Sequence, residues 1–361
     1  MLNKDLYEKY LQKKAKKLGV PIEELKNPTP VEKPETPIST SFSTPVQTNA
    51  YTPQVEEKTV EEPVSVSYSA PVDETPTIVD RRENKFAVIG YPISHSLSPI
   101  IHNAGFKSMN FDGIYESLET KPEDLVERIK YLKRNNYKGF NVTIPLKLPL
   151  ALFVDEVDPS ADIASAINTV VINPDRTMKG YNTDVIGFQK AMPSDFQIDG
   201  KVAGILGTGG AAHAAAVALS NMGIKSIRFY TRNIPNSLDL LNYMRRVFPN
   251  VQFDAFQIEH IRDLSMVDIL VNATPIGMLS HSADMTPVEK TELSTLPEGA
   301  LVYDIIYNPR KTVLLKLAES LGYRTVSGLE MFIGQAIAAE EIWTGRTPNS
   351  DAMKIAILEA V

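Results

Sequence analysis

The 361-residue sequence contains no cysteine. That excludes a disulfide scaffold and any cysteine-ligated metal site, and it fits a reducing compartment. Long apolar runs are missing too. Stretches such as Val267 to Ala273 fall far below the roughly 20 residues a membrane-spanning helix needs. The first residues, MLNKDLYEKYLQKKAKK, are charged from the outset and lack the apolar segment of a secretory signal. The expected compartment is therefore the cytoplasm. Positive charge is in deficit: 37 Lys and Arg face 44 Asp and Glu, a net charge of −7, which argues against nucleic acid as the main partner. No cluster of ligating side chains stands out, so no metal is expected. What is present is an ordinary globular composition, 43% hydrophobic and 22% charged, at a length that suits two domains.

Proline is unevenly distributed. Nine prolines from Pro28 to Pro76 lie among Ser, Thr, Glu and Val. No apolar period survives there, and isolated hydrophobics cannot offset an ordering entropy of about 1–2 kcal/mol per residue. Residues 28–83 are read as a disordered linker reaching roughly 40 Å. Residues 1–27 read as a short helical segment, with Leu6, Tyr10 and Leu11 on one face and Lys13, Lys14, Lys16 and Lys17 on the other. A solvated tail and a docking element for a protein partner are both open readings of it.

From Lys85 onward strands and helices alternate. Phe86–Gly90 reads as a strand, followed by a helix over 99–109 with Ser98 as cap and Pro99 at its first position. Strands are expected over 114–119, 139–144 and 167–173, with an amphipathic helix over 122–135. A second series begins at Lys201: strand 202–206, helix 210–222, strand 226–231, helix 237–247, and strands 251–255, 267–272 and 300–305. A strong helix over 329–341 is expected to return to the first domain. This alternation predicts an α/β chain with mainly parallel sheets covered on both faces.

Val202–Leu206 runs directly into Gly207-Thr208-Gly209-Gly210-Ala211-Ala212 and then an alanine-rich helix. Strand, glycine turn and helix start in that order suit a dinucleotide pyrophosphate, because small residues admit the phosphates and a helix N-terminus supplies free N–H groups. The next strand ends in Thr231-Arg232-Asn233 without a carboxylate. A guanidinium there favours the 2′-phosphate of NADP over the bare ribose of NAD.

Three further segments carry polar residues that packing alone would not select: Ser94-His95-Ser96-Leu97-Ser98, Asn141-Val142-Thr143 leading to Lys147, and Asn182-Thr183-Asp184, joined by Asn168. Each residue has a bland alternative: a cap for Ser96, Ser98 or Asp184, a turn for Asn168, a solvated charge for Lys147. Together they offer the hydroxyl, amide, ammonium and carboxylate groups that a polyhydroxylated acid requires, and an ammonium beside a carboxylate can hold a shared proton.

The runs GYPISHSLSPIIHN, GFNVTIPLK, AINTVV, GYNTD, GTGGAA, NATPIGM, YDIIYNP and GLEMFIGQA, in this order, resemble the shikimate dehydrogenase family over about residues 85–361. The resemblance implies an N-terminal α/β substrate-binding domain (84–185, completed by 327–361) and a Rossmann-type NADP-binding domain (186–326). It implies reversible NADPH-dependent reduction of 3-dehydroshikimate to shikimate, in aromatic amino acid biosynthesis. Lys147 and Asp184 would form the catalytic pair. Ser96 and Ser98 would hold the substrate carboxylate, and Thr143, Asn168, Gln335 and Tyr307 would surround the ring. Gly207, Thr208, Gly209, Gly210 and Ala211 would cradle the pyrophosphate, Arg232 and Thr231 would meet the adenosine phosphate, and Asn272, Ala273, Thr274 and Met331 would line the nicotinamide side. His95 is expected to support its loop and His102 to pack on a helix.

Two positions depart from the family pattern. His213 and Asn236 stand where a basic residue is common, which weakens phosphate binding and keeps NAD open. A quinate/shikimate dehydrogenase is the nearest rival; a threonine in place of Ser98 would favour it. A non-catalytic nucleotide-binding protein is a further alternative, opposed by the intact Lys147 and Asp184. A monomer and a homodimer are both compatible with the sequence.

Overall fold

The computed structural model of the chain describes residues 84–261, 263–279 and 282–360. The expected helical segment 1–27 and linker 28–83 lie outside the described residues.

Two six-stranded sheets organise the described part. The first begins with β1 (Asn84–Gly90), whose Phe86 to Ile89 are all buried. Helix α1 (Ser98–Ser108) connects it to β2 (Gly113–Glu119), and α2 (Leu125–Arg134) connects β2 to β3 (Tyr137–Val142). Leu125, Ile129 and Leu132, on one face of α2, are its buried residues, as a 3.6-residue period requires. The short β4 (Glu156–Val157), α3 (Pro159–Ala164), β5 (Thr169–Ile172) and β6 (Met178–Tyr181) follow. The sheet order is β2-β1-β3-β5-β6-β4.

Strands β1, β2 and β3 are mutually parallel, but β5 runs antiparallel to both β3 and β6. The first sheet is thus mixed, with β5 alone reversed among strands that otherwise run parallel. The difference comes from a hairpin at Asn173–Thr177, where Asp175 Oδ1 accepts hydrogen bonds from the Thr177 N–H (2.9 Å) and hydroxyl. Tight local bonding of this kind joins antiparallel neighbours without a crossover helix. At the other end of the sheet, Asn103 of α1 clamps the edge strand. Its amide donates to the Tyr115 carbonyl at 2.8 Å and accepts from the Tyr115 N–H at 3.0 Å, occupying groups another strand would otherwise take.

After α4 (Asp184–Ala191) the second sheet is built from β7 (Val202–Leu206), α5 (Gly210–Asn221), β8 (Ser226–Thr231), α6 (Ile234–Val247), β9 (Gln252–Gln257), β10 (Ile269–Asn272), α7 (Lys290–Leu293), β11 (Leu301–Asp304), α8 (Val313–Ser320) and β12 (Arg324–Ser327). Its order, β12-β11-β10-β7-β8-β9, is parallel throughout. Neighbouring residues face opposite layers: Ile205 packs with the alanines of α5, and Leu206 with Leu314 and Leu315 of α8. A sheet covered on both faces needs such continuous apolar strands.

Two long helices close the chain, α9 (Gly328–Thr344) and α10 (Ser350–Ala360). Helix α9 returns to the first sheet, where Trp343 Nε1 donates to the Val170 carbonyl at 3.0 Å. Met353 and Ile357 of α10 join Leu97, Ile101 and Phe332 in one apolar cluster. Helices α9 and α4 cross at glycine. A Cβ on Gly187 would stand 2.5 Å from the Met331 carbonyl and 3.0 Å from the Gln335 N–H nitrogen. Backbone cannot retreat as a side chain tip can, so the crossing demands glycine. Gly187→Ala should lower the unfolding free energy by about 1–3 kcal/mol, as overpacking does. An unchanged urea midpoint would show that the two helices part freely.

Candidate active site

The direction of strand addition reverses between β7 and β10, and the C-terminal ends of the strands at such a point are where doubly wound sheets take their ligands. Gly207 leaves β7 with φ of +99°, a conformation that favours glycine. Helix α5 then starts at Gly210 with no side-chain cap and no acidic residue in its first turn. Its leading N–H groups are unclaimed by the helix itself. A Cβ built on Gly209 meets nothing within 4 Å, so the approach to these N–H groups is open. An uncapped helix start behind a glycine turn fits a dinucleotide pyrophosphate.

At the end of β8, Thr231 is buried and Arg232 exposed, leaving the guanidinium accessible from solvent. The His213 ring nitrogen Nδ1 lies 3.1 Å from the Ala164 carbonyl, so that ring helps tie α5 to α3. Beyond β10, Asn272 is fully buried and organises its own loop. Its carbonyl accepts from the Thr274 N–H (3.0 Å) and hydroxyl (2.7 Å), and its amide donates to Ile276 O and to Asp304 Oδ1. Ala273 N donates to Leu206 O at 3.0 Å, fixing this loop beside the glycine turn. Met331 belongs to the apolar cluster with Val185, Phe188 and Ala212.

The first sheet supplies the opposing wall. Lys147 follows β3 in a turn in which the Leu146 N–H donates to Thr143 O, and its own carbonyl accepts from the Ile167 N–H. Asp184 is the first residue of α4 and not its cap; Thr183 takes the N-cap position, and Asn182 Oδ1 receives the Val185 N–H. The carboxylate therefore sits at the positive end of a helix. Lys147 Nζ donates to Asp184 Oδ2 at 2.6 Å, with side chains 14% and 2% exposed. A Cβ on Gly210 would stand 3.3 Å from both Cβ and Cδ of Lys147. The lysine thus lies directly against the start of the glycine-loop helix.

Around this pair, Asn168 is held on every side. Its Oδ1 accepts from the Thr183 N–H at 2.7 Å and from the Thr169 hydroxyl, while its amide donates to Thr183 Oγ1 and to Gln335 Oε1. Tyr307 stacks on Phe332 at 4.1 Å and packs on the cluster that includes Leu97, between Ser96 and Ser98. Ser98 is not the cap of α1 but its first residue: Leu97 caps it, and Ser96 Oγ accepts from the Ser98 N–H at 3.3 Å. His95 is exposed. Among the described residues no group of three or more His, Asp or Glu is placed to hold a metal ion.

The structure brings together Lys147, Asp184, Asn168 and Gln335, and sets Gly210 against them. Thr169 and Asp304 escaped sequence reasoning, since both fall within expected strands, over 167–173 and 300–305. Asp304 is completely buried and receives the Thr312 hydroxyl (2.6 Å), the Ile306 N–H (3.1 Å) and the Asn272 amide (3.0 Å). Burial raises its pKa to about 6, against the opposing pull of those three donors.

Fold and site together define a dinucleotide-binding α/β protein whose reactive face is shared with a second, mixed sheet. The model for the shikimate dehydrogenase substrate binding domain matches residues 88–170, and that for the shikimate 5'-dehydrogenase C-terminal domain matches 328–358. The NADP(+) shikimate dehydrogenase of Caldanaerobacter subterraneus subsp. tengcongensis is 38% identical over 276 residues, which is 76% of this chain and 96% of that protein. The Thermus thermophilus shikimate 5-dehydrogenase solved with NADP(H) and shikimate is 31% identical at a TM-score of 0.66, covering 77% of this chain and 100% of that one. Quinate dehydrogenase from Corynebacterium glutamicum, solved with NAD, is 28% identical at a TM-score of 0.69, covering 77% and 99%. The chain belongs to the shikimate dehydrogenase family.

A carboxyl with a raised folded pKa binds its proton more tightly in the native state, so Asp304 favours folding at low pH and loses that contribution as pH rises from its unfolded value through about 6. Asp304→Asn abolishes this dependence. The unfolding free energy of the wild type minus that of the variant should fall by about 3 kcal/mol between about pH 3 and about pH 7. A flat difference in urea titrations across that window would mean that Asp304 ionises as in an open chain.

Proposed function

We propose that this protein is an NADP-dependent shikimate dehydrogenase, interconverting 3-dehydroshikimate and shikimate. The carrying observation is the buried Lys147–Asp184 contact at 2.6 Å, set against the first residue of the glycine-loop helix. In this reading Gly207 to Ala211 receive the pyrophosphate, Arg232 with Thr231 meets the 2′-phosphate, and the Ala273–Thr274 loop lines the nicotinamide side. When bound, reduced nicotinamide supplies a hydride to the substrate carbonyl carbon.

The rest of the chemistry belongs to the chain. An ammonium carries three N–H donors and no acceptor. One donor on Lys147 is taken by Asp184, which fixes the direction of the others toward the substrate oxygen. Lys147 passes a proton to that oxygen as the carbonyl becomes a hydroxyl, and Asp184 keeps the nitrogen in place and accepts from the new hydroxyl. In the reverse direction the neutral amine removes the hydroxyl proton. Ser96 and Ser98 hold the carboxylate, and Thr143, Asn168, Gln335 and Tyr307 engage the ring. Because the glycine-loop helix touches Lys147, closure of the two walls over the ligands excludes water where charge develops. Ser98 favours shikimate over quinate, and the absence of a carboxylate after β8 favours NADP over NAD.

Absorbance at 340 nm with shikimate and NADP, then with quinate and NAD, tests this reading. Shikimate with NADP should give the highest kcat/KM; a flat trace in every combination would leave a non-catalytic nucleotide-binding role. Lys147→Ala should cut kcat by about 10²–10⁴-fold, the usual range for a general acid, while the KM for shikimate changes far less. Undiminished turnover would mean that the proton comes from another group.

A further inference from the structure

Behind the substrate wall lies a second set of polar groups that the reaction does not use. His102 of α1 and Glu340 of α9 meet at 2.9 Å between Nδ1 and Oε1, both buried. The Glu340 carboxyl is pressed onto the α1 backbone, where a Cβ on Gly105 would collide with both its oxygens. Its second oxygen, Oε2, has no hydrogen-bond partner among the described residues. Such a group is costly to bury as an anion.

The pair is wired toward the substrate. The His102 ring stacks on Tyr115 of β2, with centroids 4.2 Å apart and planes at 15°. The Tyr115 hydroxyl donates to Asn141 Oδ1 at 2.6 Å. The Asn141 amide donates to Thr169 Oγ1 (2.9 Å) and to the Asn168 carbonyl (3.1 Å), and Thr169 donates to Asn168 Oδ1. Asn141 faces Thr169 directly across the β3–β5 pairing, so strand register fixes this link. His102 lies beside Asn141, and Ser98 beside the Tyr115 phenol. With Oε2 unpartnered, an anion at position 340 would be uncompensated, so the hydrogen between the pair belongs to a neutral Glu340 and Nδ1 of a neutral imidazole accepts it. Burial acts in the same sense, lowering His102 to about 3 and raising Glu340 to about 9.

We infer that Glu340 and His102 are positioning residues of the substrate site: Glu340, as a neutral acid donating to His102, holds Tyr115 and Asn141 so that Asn168 and Ser98 face the ring. The inference rests on the proposed shikimate chemistry. It requires a hydrogen-bond donor at position 340 but no ionisable group.

Glu340→Gln keeps a donor and should hold kcat and the KM for shikimate within about twofold of wild type. Glu340→Met keeps the volume without the donor and should raise the shikimate KM about tenfold, the effect of one lost hydrogen bond of about 1.4 kcal/mol. The KM for NADP and kcat should stay within about twofold. Tyr115→Phe removes only the hydroxyl, keeps the stacking, and should reproduce the Met pattern even if the Met variant fails to fold. Calorimetric binding of shikimate to each protein without nucleotide should weaken in parallel. Unchanged shikimate KM and binding in Tyr115→Phe, or equal losses for shikimate and NADP, would overturn the inference. Absence of shikimate turnover in the wild type would instead overturn the functional reading.

Discussion

Joining an ammonium to a carboxylate out of water is expensive, and the Lys147–Asp184 contact is the constraint on which the surrounding architecture depends. Each charge loses several kcal/mol of hydration on burial, and mutual attraction repays this only when the geometry is tightly held. The chain meets that condition from both sides. Asp184 stands at the start of α4, where the helix dipole and the Asn182 cap fix the first turn. Lys147 is pinned through its carbonyl to Ile167, one residue from Asn168. The partners are 37 residues apart in sequence, yet neither depends on a free loop for its position.

The same constraint explains why α9 must cross α4 so closely. Gln335 reaches Asn168 at 3.2 Å only because Gly187 and Gly334 let the helices approach without side chains between them. The second sheet meets this assembly through Gly210, whose lack of a Cβ lets the α5 start rest on the Lys147 stem. The proposed phosphate site and the proposed proton donor are thereby adjacent.

Legibility in the sequence followed the range of the forces involved. Five strands of the second sheet could be read, because buried parallel strands are continuous apolar runs and the glycine turn is a local signal; the edge strand β12, with Val326 as its one buried residue, could not. Lys147, Asp184 and the Ser96–Ser98 loop were legible as polar groups without a packing rationale. Strand β6 was not, since Met178–Tyr181 is four residues long and carries a glycine; its pairing is created by the Asp175 turn. Ser98 looked like a cap because serine before proline commonly is one, but Leu97 occupies that place. Glu340 was the least visible. Within Ala338-Ala339-Glu340-Glu341 it resembles a solvated helix charge, and only the long-range packing of α9 on α1 buries it.

Two buried carboxyls at opposite ends of the site show how surroundings assign opposite roles to one functional group. Asp304 is encircled by three donors that oppose the effect of burial, so its pKa is raised only to about 6 and it is ionised at neutral pH. It gathers the Asn272 amide, the Ile306 N–H and the Thr312 hydroxyl around one negative charge. Glu340 meets a single imidazole and leaves one oxygen unpaired, so nothing compensates an anion there, and its pKa rises to about 9. At neutral pH the first carboxyl works as an acceptor and the second as a donor. The difference has a consequence for the substrate. A charged Glu340 would place an uncompensated negative charge behind Ser98 and Tyr115, where the carboxylate of a shikimate-like acid is proposed to bind. Neutrality at position 340 is therefore part of what makes that wall receptive to an anion.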